Sequence, residues 1–363
     1  MNKRYKILII TNDSGGLFLF REELLRKLIL FCEVVILTPC TEKIEDIEQI
    51  GCRIVETKVD RRGMNPIKDL VLVMSYLKIL KKEKPDIILS YTIKPNMYGG
   101  IVARYLNIPF FPYVAGLGTP FQNSNIISKI LIFCHKLAFK KATQVFFENA
   151  ETLEFYKNHG IVGNNIVKLP GAGVNLKKYT YKEMPNKEYT EFVFVGRLMR
   201  EKGIEELISA TIKIKSVYPE TVVNIVGPYE EKYEDKIKQL SNIGIIKFWG
   251  FQEDVRPIVY NSHCLILPSY HEGMANVLLE AAAMGRILIT SNIHGCLEAV
   301  EQGENGYLVK VRDEKSLYYA MEKVIQLSLK EKQYMGMRSR SIVENSFDRN
   351  IVVDRMLDIL FSK

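Results

Sequence analysis

Short apolar runs alternate with longer amphipathic segments along almost the whole of this 363-residue chain. The short runs have the length and composition of buried strands, and the longer segments place apolar residues at helical spacing. This alternation predicts βαβ units, in which parallel strands are covered by helices. The sequence therefore favours an α/β fold built from parallel sheets.

The alternation forms two series, separated by a polar stretch at 177–190 that we interpret as an interdomain linker. Strands of the first series are predicted at 6–11, 34–37, 53–56, 87–90, 110–114, 145–147 and 166–169, with helices that include 17–31, 67–84, 98–106 and 126–141. Strands of the second series are predicted at 192–195, 222–226, 245–248, 264–267, 287–290 and 306–309. We expect one domain over 1–176, joined by a last helix at 347–363, and a second domain over 177–346.

The composition is that of an ordinary globular protein, with 47% hydrophobic and 25% charged residues. It excludes a disordered chain, a collagen-like repeat and a small disulfide-stapled fold. The six cysteines contain no CxxC pair, which argues against a zinc knuckle and a thioredoxin-like site. No apolar run approaches the length of a membrane span, and the apolar part of the amino terminus is shorter than a secretory signal requires.

The basic residues are concentrated in the first half of the chain. Residues 1–180 contain 26 Lys and Arg against 16 Asp and Glu, whereas residues 181–363 contain 24 against 26. This asymmetry indicates that the first half faces an anionic partner, such as a phospholipid surface, a pyrophosphate-bearing substrate or nucleic acid. A lysine-rich solvated surface is the alternative.

The segment 268–285, PSYHEGMANVLLEAAAMG, follows a predicted strand and enters a helix at about Ala275. Gly273 leaves space for a ligand near the backbone N–H groups of the helix start, which favours a diphosphate. Glu272 before the helix and Glu280 within it are acceptors suited to the hydroxyl pairs of a sugar and a ribose. Alternatively, Glu272 favours the helix start and Glu280 pairs with a surface cation.

The segment 192–203, FVFVGRLMREKG, places Gly196, Arg197 and Lys202 on the loop after another buried strand. Two cations on one loop can hold both phosphates of a leaving nucleoside diphosphate and neutralise the charge that develops. Alternatively, they are surface cations that are balanced by acidic neighbours, namely Glu201, Glu205 and Glu206.

Together the two segments resemble the retaining family-4 glycosyltransferases of the GT-B fold, whose hallmarks are an FVGR-xxxxKG loop and an E-x7-E motif. The similarity extends over the whole chain. The stretches 92–99 (TIKPNMYG), 116–121 (GLGTPF) and 171–177 (GAGVNLK) are similar to those of the branch that extends lipid-pyrophosphate-linked sugars for capsule, O-antigen or glycoprotein glycans.

The resemblance implies roles for individual residues. Arg197 and Lys202 would hold the diphosphate, Glu272 would contact the donor sugar, and Glu280 would hold the ribose hydroxyls. The donor-binding set is completed by Gly196, by the backbone amides of Gly273, Met274, Ala275 and Asn276, and by a glycine loop after the first strand, Gly15 and Gly16. A plain βα turn is the alternative for these last two glycines.

The acceptor side of the site departs from the pattern of the family. Many relatives carry a histidine after a strand of the first domain, where this chain has Ser90 and Tyr91. Lys94 and Asn96 are therefore the candidates for assisting the transferred sugar, and they form the expected acceptor site with Gly116 and Gly118. The sequence contains no DxD or HxH ligand cluster, so we expect no divalent metal and no cofactor beyond the nucleotide sugar.

Two basic amphipathic segments of the first domain are candidates for contact with a membrane. Their lysines suit an anionic leaflet, whereas we expect their apolar stripes to cover the sheet. The lysines in question are Lys78, Lys81, Lys82, Lys84, Lys129, Lys136, Lys140 and Lys141.

The sequence thus predicts two Rossmann-like doubly wound domains facing across a cleft, with a carboxyl-terminal helix that crosses back to the first domain. The predicted activity is transfer of a hexose or N-acetylhexosamine from a nucleotide sugar, with UDP as the expected nucleotide, to an undecaprenyl-pyrophosphate-linked saccharide. We expect the protein in the cytoplasm, peripherally bound at the inner face of the cell membrane, with no nucleic-acid partner. The alternatives are a sugar-nucleotide epimerase and a non-catalytic two-lobed sugar-binding protein. A nicotinamide dehydrogenase is disfavoured because the segment 116–121 lacks a third glycine and a following acidic residue.

Overall fold

The computed structural model describes residues 4–59, 65–117 and 126–362. The chain divides into two compact units, one formed by Met1–Ala172 with Asn350–Lys363 and the other by Gly173–Arg349. The units thus divide at 172/173 and 349/350, where the sequence analysis placed boundaries at 176/177 and 346/347. Each unit is an α/β structure around its own parallel sheet.

The first unit contains a seven-stranded sheet in the order β3-β2-β1-β4-β5-β6-β7. Every pair of neighbouring strands is parallel, and the central strands are mostly apolar and buried because helices cover both faces. The strands are β1 (Tyr5–Ile10), β2 (Cys32–Thr38), β3 (Arg53–Glu56), β4 (Ile87–Tyr91), β5 (Phe110–Val114), β6 (Val145–Phe147) and β7 (Ile166–Lys168).

The helices of the first unit pack on the two faces of this sheet, in two separate clusters of buried apolar residues. They are α1 (Ser14–Leu28), α2 (Ile44–Ile50), α3 (Pro66–Glu83), α4 (Gly100–Leu106), α5 (Ile126–Phe139) and α6 (Ala150–Asn158). A π-helical segment, Pro95–Gly99, directly precedes α4. Its Gly99 and the first residue of α4, Gly100, allow close packing, because a Cβ atom at Gly100 would lie 2.7 Å from the ring of Phe110.

The second unit contains a six-stranded parallel sheet in the order β10-β9-β8-β11-β12-β13. Its strands are β8 (Glu191–Val195), β9 (Val222–Val226), β10 (Lys247–Gly250), β11 (Cys264–Leu267), β12 (Ile287–Ser291) and β13 (Gly306–Val309). Its helices are α7 (Ile204–Val217), α8 (Glu234–Asn242), α9 (Arg256–Asn261), α10 (Asn276–Ala283), α11 (Glu314–Gln326) and α12 (Leu329–Ser346).

The last helix, α13 (Arg349–Phe361), returns to the first unit. Val352, Val353, Met356 and Leu360 are buried in the same apolar cluster as the strands β1 and β2. This confirms the prediction of two doubly wound parallel-sheet domains with a carboxyl-terminal helix that belongs to the first.

The structure corrects the interpretation of residues 177–190 as a linker. This stretch lies within the second unit, where Tyr179 and Met184 are buried in the apolar core. The guanidinium of Arg286 donates hydrogen bonds to the carbonyl oxygens of Lys182 and Glu183, which holds the stretch against α10 and β12. A polar composition did not reveal these backbone acceptors, so the segment had the appearance of a linker.

Candidate functional site

In the second unit, the loops after β8, β11 and β12 meet at the carboxyl edge of the sheet. The sheet order reverses between β8 and β11, and such a switch point is where open α/β sheets bind ligands. The helix α10 begins in the loop after β11, so its amino terminus lies at this edge.

Glycines with positive φ make this convergence possible. Gly203, with φ 71°, ends the loop after β8, and a Cβ atom there would lie 2.1 Å from the carbonyl oxygen of Pro268. Gly295 in the loop after β12 has φ 88°, and its Cβ would lie 2.4 Å from the carbonyl oxygen of Gly273. No side chain larger than hydrogen fits between these backbones, which is why glycine occupies both positions.

The side chains of Lys202 and Glu272 are in direct contact. The Nζ atom of Lys202 lies 2.6 Å from Oε1 of Glu272, and their side chains are only 21% and 12% exposed. The hydroxyl of Ser269 donates to the same carboxylate oxygen at 2.7 Å. The structure thus brings together the cation of one predicted motif and the first glutamate of the other.

Arg197 faces a different partner. Its Nη1 atom lies 3.4 Å from Oε1 of Glu230, in the loop after β9, and its side chain is 49% exposed. Gly196, just before it, donates its N–H to the carbonyl oxygen of Val226 at 2.9 Å. The loops after β8 and β9 also touch through Gly227, whose Cβ would lie 1.9 Å from the carbonyl oxygen of Gly196.

The alternative that acidic neighbours on the same segment balance these cations is not what the structure shows. Glu205 pairs with Lys236, and Glu206 accepts a hydrogen bond from the hydroxyl of Tyr270. The recorded partners of Arg197 and Lys202 both come from other loops.

The start of α10 differs from expectation. The helix begins at Asn276, and the amide of its cap residue Ala275 donates to the carbonyl oxygen of Gly295 at 2.8 Å. The amide of Asn276 donates to Met274 at 3.0 Å. Of the four amides expected to meet a phosphate, those of Ala275 and Asn276 therefore already have protein acceptors, because the Gly295 loop packs on this turn.

The side-chain oxygen of Asn276 is buried and makes no hydrogen bond to any residue that the structure describes. A buried acceptor without a donor is costly, so this atom is a candidate for contact with a ligand.

Glu280 lies on α10, where it accepts a hydrogen bond from Tyr179. Burial raises the pKa of the Glu280 carboxyl, while a hydrogen bond from Tyr179 and the charges of Arg349 and Lys178 act in the opposite direction. Tyr179, Lys178 and Arg349, which all belong to the second unit, thus favour the charged form of a carboxyl group that burial disfavours.

The predicted acceptor residues of the first unit are placed as follows. Lys94 forms an ion pair with Asp69, 2.7 Å apart, and Asn96 is buried. The side chain of Asn96 accepts from the hydroxyl of Ser90 at 2.6 Å and donates to the carbonyl oxygen of Tyr113 at 2.8 Å. Gly116 follows β5, and Gly118 lies outside the described residues.

Gly15 and Gly16 do not form a glycine loop. Both belong to the first turn of α1, where the side chain of Asp13 accepts the amide hydrogen of Gly16 at 2.9 Å and caps the helix. The cap explains why α1 starts at Ser14 rather than at Leu17, since an Asp before a helix satisfies amides of its first turn.

Sequence reasoning missed the loop after β12 and the hydroxyl of Ser269. Gly295 could have been noticed as a glycine soon after a strand, but its positive φ and its packing on Gly273 are tertiary features. Among the described residues, no group of three or more His, Cys, Asp and Glu side chains is placed to hold a metal ion.

Comparisons with known proteins agree with the fold. Residues 177–341 match the family described as Glycosyl transferases group 1, and residues 6–149 match the family described as Glycosyl transferase 4-like. The Anabaena protein HepE, solved in complex with UDP and glucose, aligns with 99% of this chain and 100% of its own at a TM-score of 0.81 and 17% identity. The protein is therefore a glycosyltransferase of the GT-B fold.

Several relatives align with most of the chain. The N,N'-diacetylbacillosaminyl-diphospho-undecaprenol alpha-1,3-N-acetylgalactosaminyltransferase of Campylobacter jejuni is 27% identical over 345 residues, covering 90% of each chain. The capsular polysaccharide biosynthesis glycosyltransferase CapM of Staphylococcus aureus is 26% identical and covers 86% of each chain. The UDP-Gal:alpha-D-GlcNAc-diphosphoundecaprenol alpha-1,3-galactosyltransferase of Escherichia coli is 27% identical, over 82% of this chain and 81% of its own. These relatives are consistent with the family-4 branch that the two motifs resemble.

Proposed function

We propose that this glycosyltransferase moves a hexose or N-acetylhexosamine from a UDP-sugar to an undecaprenyl-pyrophosphate-linked saccharide, with retention of the anomeric configuration. The observation that carries the proposal is the contact of Lys202 with Glu272 at the start of α10. The activities for which the Campylobacter and Escherichia relatives are named support the lipid-linked acceptor.

We propose that the donor replaces the Lys202–Glu272 ion pair when it binds. A diphosphate offers Lys202 a stronger anion than a single carboxylate, and a sugar hydroxyl can donate to the carboxylate that Lys202 releases. Donor binding then exchanges one internal ion pair for two intermolecular contacts. Because both groups are largely buried, neither loses much hydration in the exchange.

Arg197 completes the phosphate site by turning from Glu230. Their contact is long and half-exposed, so little stability is lost when it breaks. Glu280 accepts hydrogen bonds from the ribose hydroxyls while Tyr179 holds its carboxylate in place. These contacts orient the donor, so that its binding energy helps to stabilise the transition state of the transfer.

In the transfer step the bond between the anomeric carbon and the diphosphate oxygen breaks, and a bond to the acceptor oxygen forms on the same face. The acceptor proton leaves with the diphosphate. Lys202 and Arg197 lower the barrier because they stabilise the negative charge that develops on the leaving group. We propose that these cations act in place of a divalent metal.

We further propose that the first unit binds an anionic membrane surface through α5. Ile130 and Phe133 are 54% and 60% exposed, and with Ile126 and Leu137 they form one stripe at helical spacing. The helix contains no acidic residue, and Lys129 and Lys136 are exposed beside the stripe. An apolar stripe bordered by cations is typical of helices that lie in the interface of a bilayer.

Helix α3 has the same character. Ile67, Leu70, Val71 and Met74 are exposed at helical spacing, and Lys78, Lys81 and Lys82 follow on the same helix. The expectation that the apolar stripes only cover the sheet is corrected for both helices, because each helix has a second apolar face in addition to its packed one. No helix among the described residues is long and apolar enough to span a membrane. The membrane face and a location at the inner surface of the cell membrane are parts of this proposal.

A transfer assay tests the proposed activity. UDP-glucose, UDP-galactose, UDP-GlcNAc and UDP-GalNAc, each labelled in the sugar, are incubated with undecaprenyl-diphosphate-linked N-acetylglucosamine or diacetylbacillosamine. We expect label from one donor to enter the lipid fraction with the wild type and with a Lys213→Ala control, whose ion pair with Glu314 is exposed. No transfer with any donor and either acceptor would contradict the proposal.

A further inference from the structure

Tyr270 lies in the loop after β11, two residues before Glu272, and it is only 5% exposed. Its neighbours in the loop take part in contacts at the donor site. The hydroxyl of Ser269 donates to Glu272, and the carbonyl oxygen of Pro268 packs on Gly203. Neither sequence motif gives Tyr270 a role. A side chain buried this deeply determines where its loop lies, because close packing leaves it little room to move.

Tyr270 contacts the chain on both sides of Lys202. Its N–H donates to the carbonyl oxygen of Glu201 at 2.8 Å, directly before Lys202. Its hydroxyl donates to Oε1 of Glu206 at 2.7 Å, four residues after Lys202 and in the first turn of α7. These two hydrogen bonds join the loop that contains Glu272 to the segment that contains Lys202.

Glu206 depends on Tyr270 for hydrogen bonding of its side chain. The second oxygen of its carboxylate, Oε2, is buried and makes no hydrogen bond to any residue that the structure describes. Burial and the bond to Glu206 raise the pKa of Tyr270, so the hydroxyl stays protonated and donates at neutral pH. A hydrogen bond to a partly buried carboxylate is stronger than one between neutral groups, and its loss is costly.

A third loop holds the ring of Tyr270. The guanidinium carbon of Arg312, in the loop after β13, lies 4.7 Å from the centre of this ring, which is a cation–π contact. Arg312 has φ 57°, in the left-handed region that is unfavourable for a residue with a side chain. Backbone strain of this kind persists where the surrounding contacts determine the conformation. The side chain of Tyr270 is therefore held from α7 and from the loop after β13.

We propose that Tyr270 is a positioning residue, which keeps Lys202 beside Glu272 where the diphosphate binds. The hydroxyl that donates to Glu206 holds the start of α7, and with it Lys202, against the loop that contains Glu272. Tyr270 acts through Lys202 and does not itself contact the donor. This inference rests on the proposed function and deepens it, because it assigns a residue to the placement of the cation that stabilises the leaving group.

Calorimetric titration of UDP tests this role, because UDP reports on the phosphate site without the sugar. Tyr270→Phe keeps the ring and removes only the hydroxyl. We expect it to lower the affinity for UDP about 5-fold, which is the effect of losing one hydrogen bond. The matched control Tyr318→Phe removes the hydrogen bond of another tyrosine to a glutamate, Glu322, within α11. This control should keep the wild-type affinity.

A double variant separates positioning from a general loss of stability. Because Tyr270 acts through Lys202, its hydroxyl should have no further effect once the lysine side chain is removed. The double variant Tyr270→Phe/Lys202→Ala should therefore bind UDP about as strongly as Lys202→Ala does. Independent effects would instead make the double variant about 5-fold weaker than Lys202→Ala, since separate losses add as free energies.

Glu206 offers a second pair of variants, which leave Tyr270 unchanged. Glu206→Gln keeps an acceptor oxygen for the hydroxyl of Tyr270, and it should bind UDP within about twofold of the wild type. Glu206→Leu removes the acceptor and should reproduce the loss of affinity in Tyr270→Phe.

Wild-type affinity for UDP in both Tyr270→Phe and Glu206→Leu would overturn this inference while the proposed function stands. A full additional loss from Tyr270→Phe in the Lys202→Ala background would overturn it as well, because the effect would then not pass through Lys202. Absence of UDP binding by the wild type would instead refute the proposed donor site and the positioning role with it.

Discussion

Lys202 and Glu272 form a largely buried ion pair, and this pairing has a consequence for each of them. A buried lysine without a counter-ion, or a buried carboxylate without a cation, would be costly. Their contact at 2.6 Å pairs the two opposite charges and fixes both side chains at the start of α10. The same two residues are thus a structural ion pair and, in our proposal, the donor site.

The first prediction concerns this pair. Lys202→Ala removes the cation from the leaving group and leaves Glu272 as an uncompensated anion beside the phosphates. We expect kcat/KM for transfer to fall about 100-fold or more, as for loss of a preorganised charge stabiliser. Steady-state transfer from the UDP-sugar measures this. Activity within twofold of the wild type in Lys202→Ala would remove Lys202 from the site.

The second prediction concerns Glu280. Burial raises its pKa, so the folded protein binds a proton there more tightly than the unfolded chain does. The contribution of Glu280 to the stability of the folded protein is therefore present at low pH. It is lost as the pH rises through the pKa that Glu280 has in the folded protein. We expect Glu280→Gln to be more stable than the wild type at pH 7, by a difference that shrinks as the pH is lowered towards 4, and to bind UDP more weakly.

Urea unfolding at several pH values, with UDP titration at pH 7, measures both effects. The exposed control Glu301→Gln, whose partner is Arg338, should not weaken UDP binding. A Glu280→Gln variant that is less stable than the wild type at every pH, or that binds UDP normally, contradicts this assignment.

The sequence motifs predicted residue types and spacing at the donor site, but not which residues are in contact. The spacing between Arg197 and Lys202 suggested that they act side by side, yet Arg197 lies beside Glu230, which comes from the loop after β9. The contact of Lys202 with Glu272 could not be predicted from the sequence either, because the two residues are 70 positions apart in the chain. Such partners depend on the order of strands in the sheet.

At the scale of the elements, α1 is joined to the sheet by a buried ion pair. The Nη2 atom of Arg21 on α1 lies 3.2 Å from Oε1 of Glu148, which follows β6, and both side chains are less than a tenth exposed. The guanidinium also lies 4.1 Å from the ring centre of Tyr113 on β5. A helix and two strands are therefore connected at one carboxyl edge.

The third prediction concerns this ion pair. Removing one partner leaves a buried charge uncompensated, so Glu148→Ala should lower the free energy of unfolding by about 3 kcal/mol. The double variant Arg21→Met/Glu148→Leu should recover most of this loss, because an apolar pair of similar volume leaves no buried charge. Urea unfolding measures both, and a loss below about 1 kcal/mol in Glu148→Ala would show that the pair is not tightly coupled.

The fourth prediction concerns the apolar stripe of α5. Ile130→Ser and Phe133→Ser shorten the exposed stripe, and we expect the double variant to sediment less with vesicles of phosphatidylglycerol while its unfolding temperature is unchanged. The matched control is Ile212→Ser on α7, an exposed apolar residue of the second unit. Vesicles of phosphatidylcholine should bind the wild type weakly. Equal sedimentation of the wild type and the double variant would contradict the proposed membrane face.

Strands were easier to predict than helix boundaries. All thirteen predicted strands are present, and most of the inner ones are the continuous apolar runs expected of buried parallel strands. The strand predicted at 245–248 begins two residues later, at Lys247, and the segment 98–106 is a π-helical turn followed by a shorter helix. These differences depend on capping and on glycine packing, which local periodicity does not report.

At the scale of the whole molecule, the two units have the same architecture but different charge. The first half of the chain carries the basic excess, and it contains the exposed lysines of α3 and α5. The second half is nearly neutral, and its cations at the site are each paired with a glutamate. This charge distribution agrees with our proposal that the first unit binds an anionic lipid surface and the second unit binds the donor.

The central claim is that the edge of the second sheet, at Lys202, Glu272 and α10, binds a nucleoside diphosphate without a metal. Calorimetric titration of UDP in EDTA tests it most directly, with the wild type, Lys202→Ala and the Lys213→Ala control. The account predicts saturable binding of UDP to the wild type and the control, and affinity at least about 10-fold lower in Lys202→Ala. Loss of wild-type binding in EDTA, or undiminished affinity in Lys202→Ala, would contradict it.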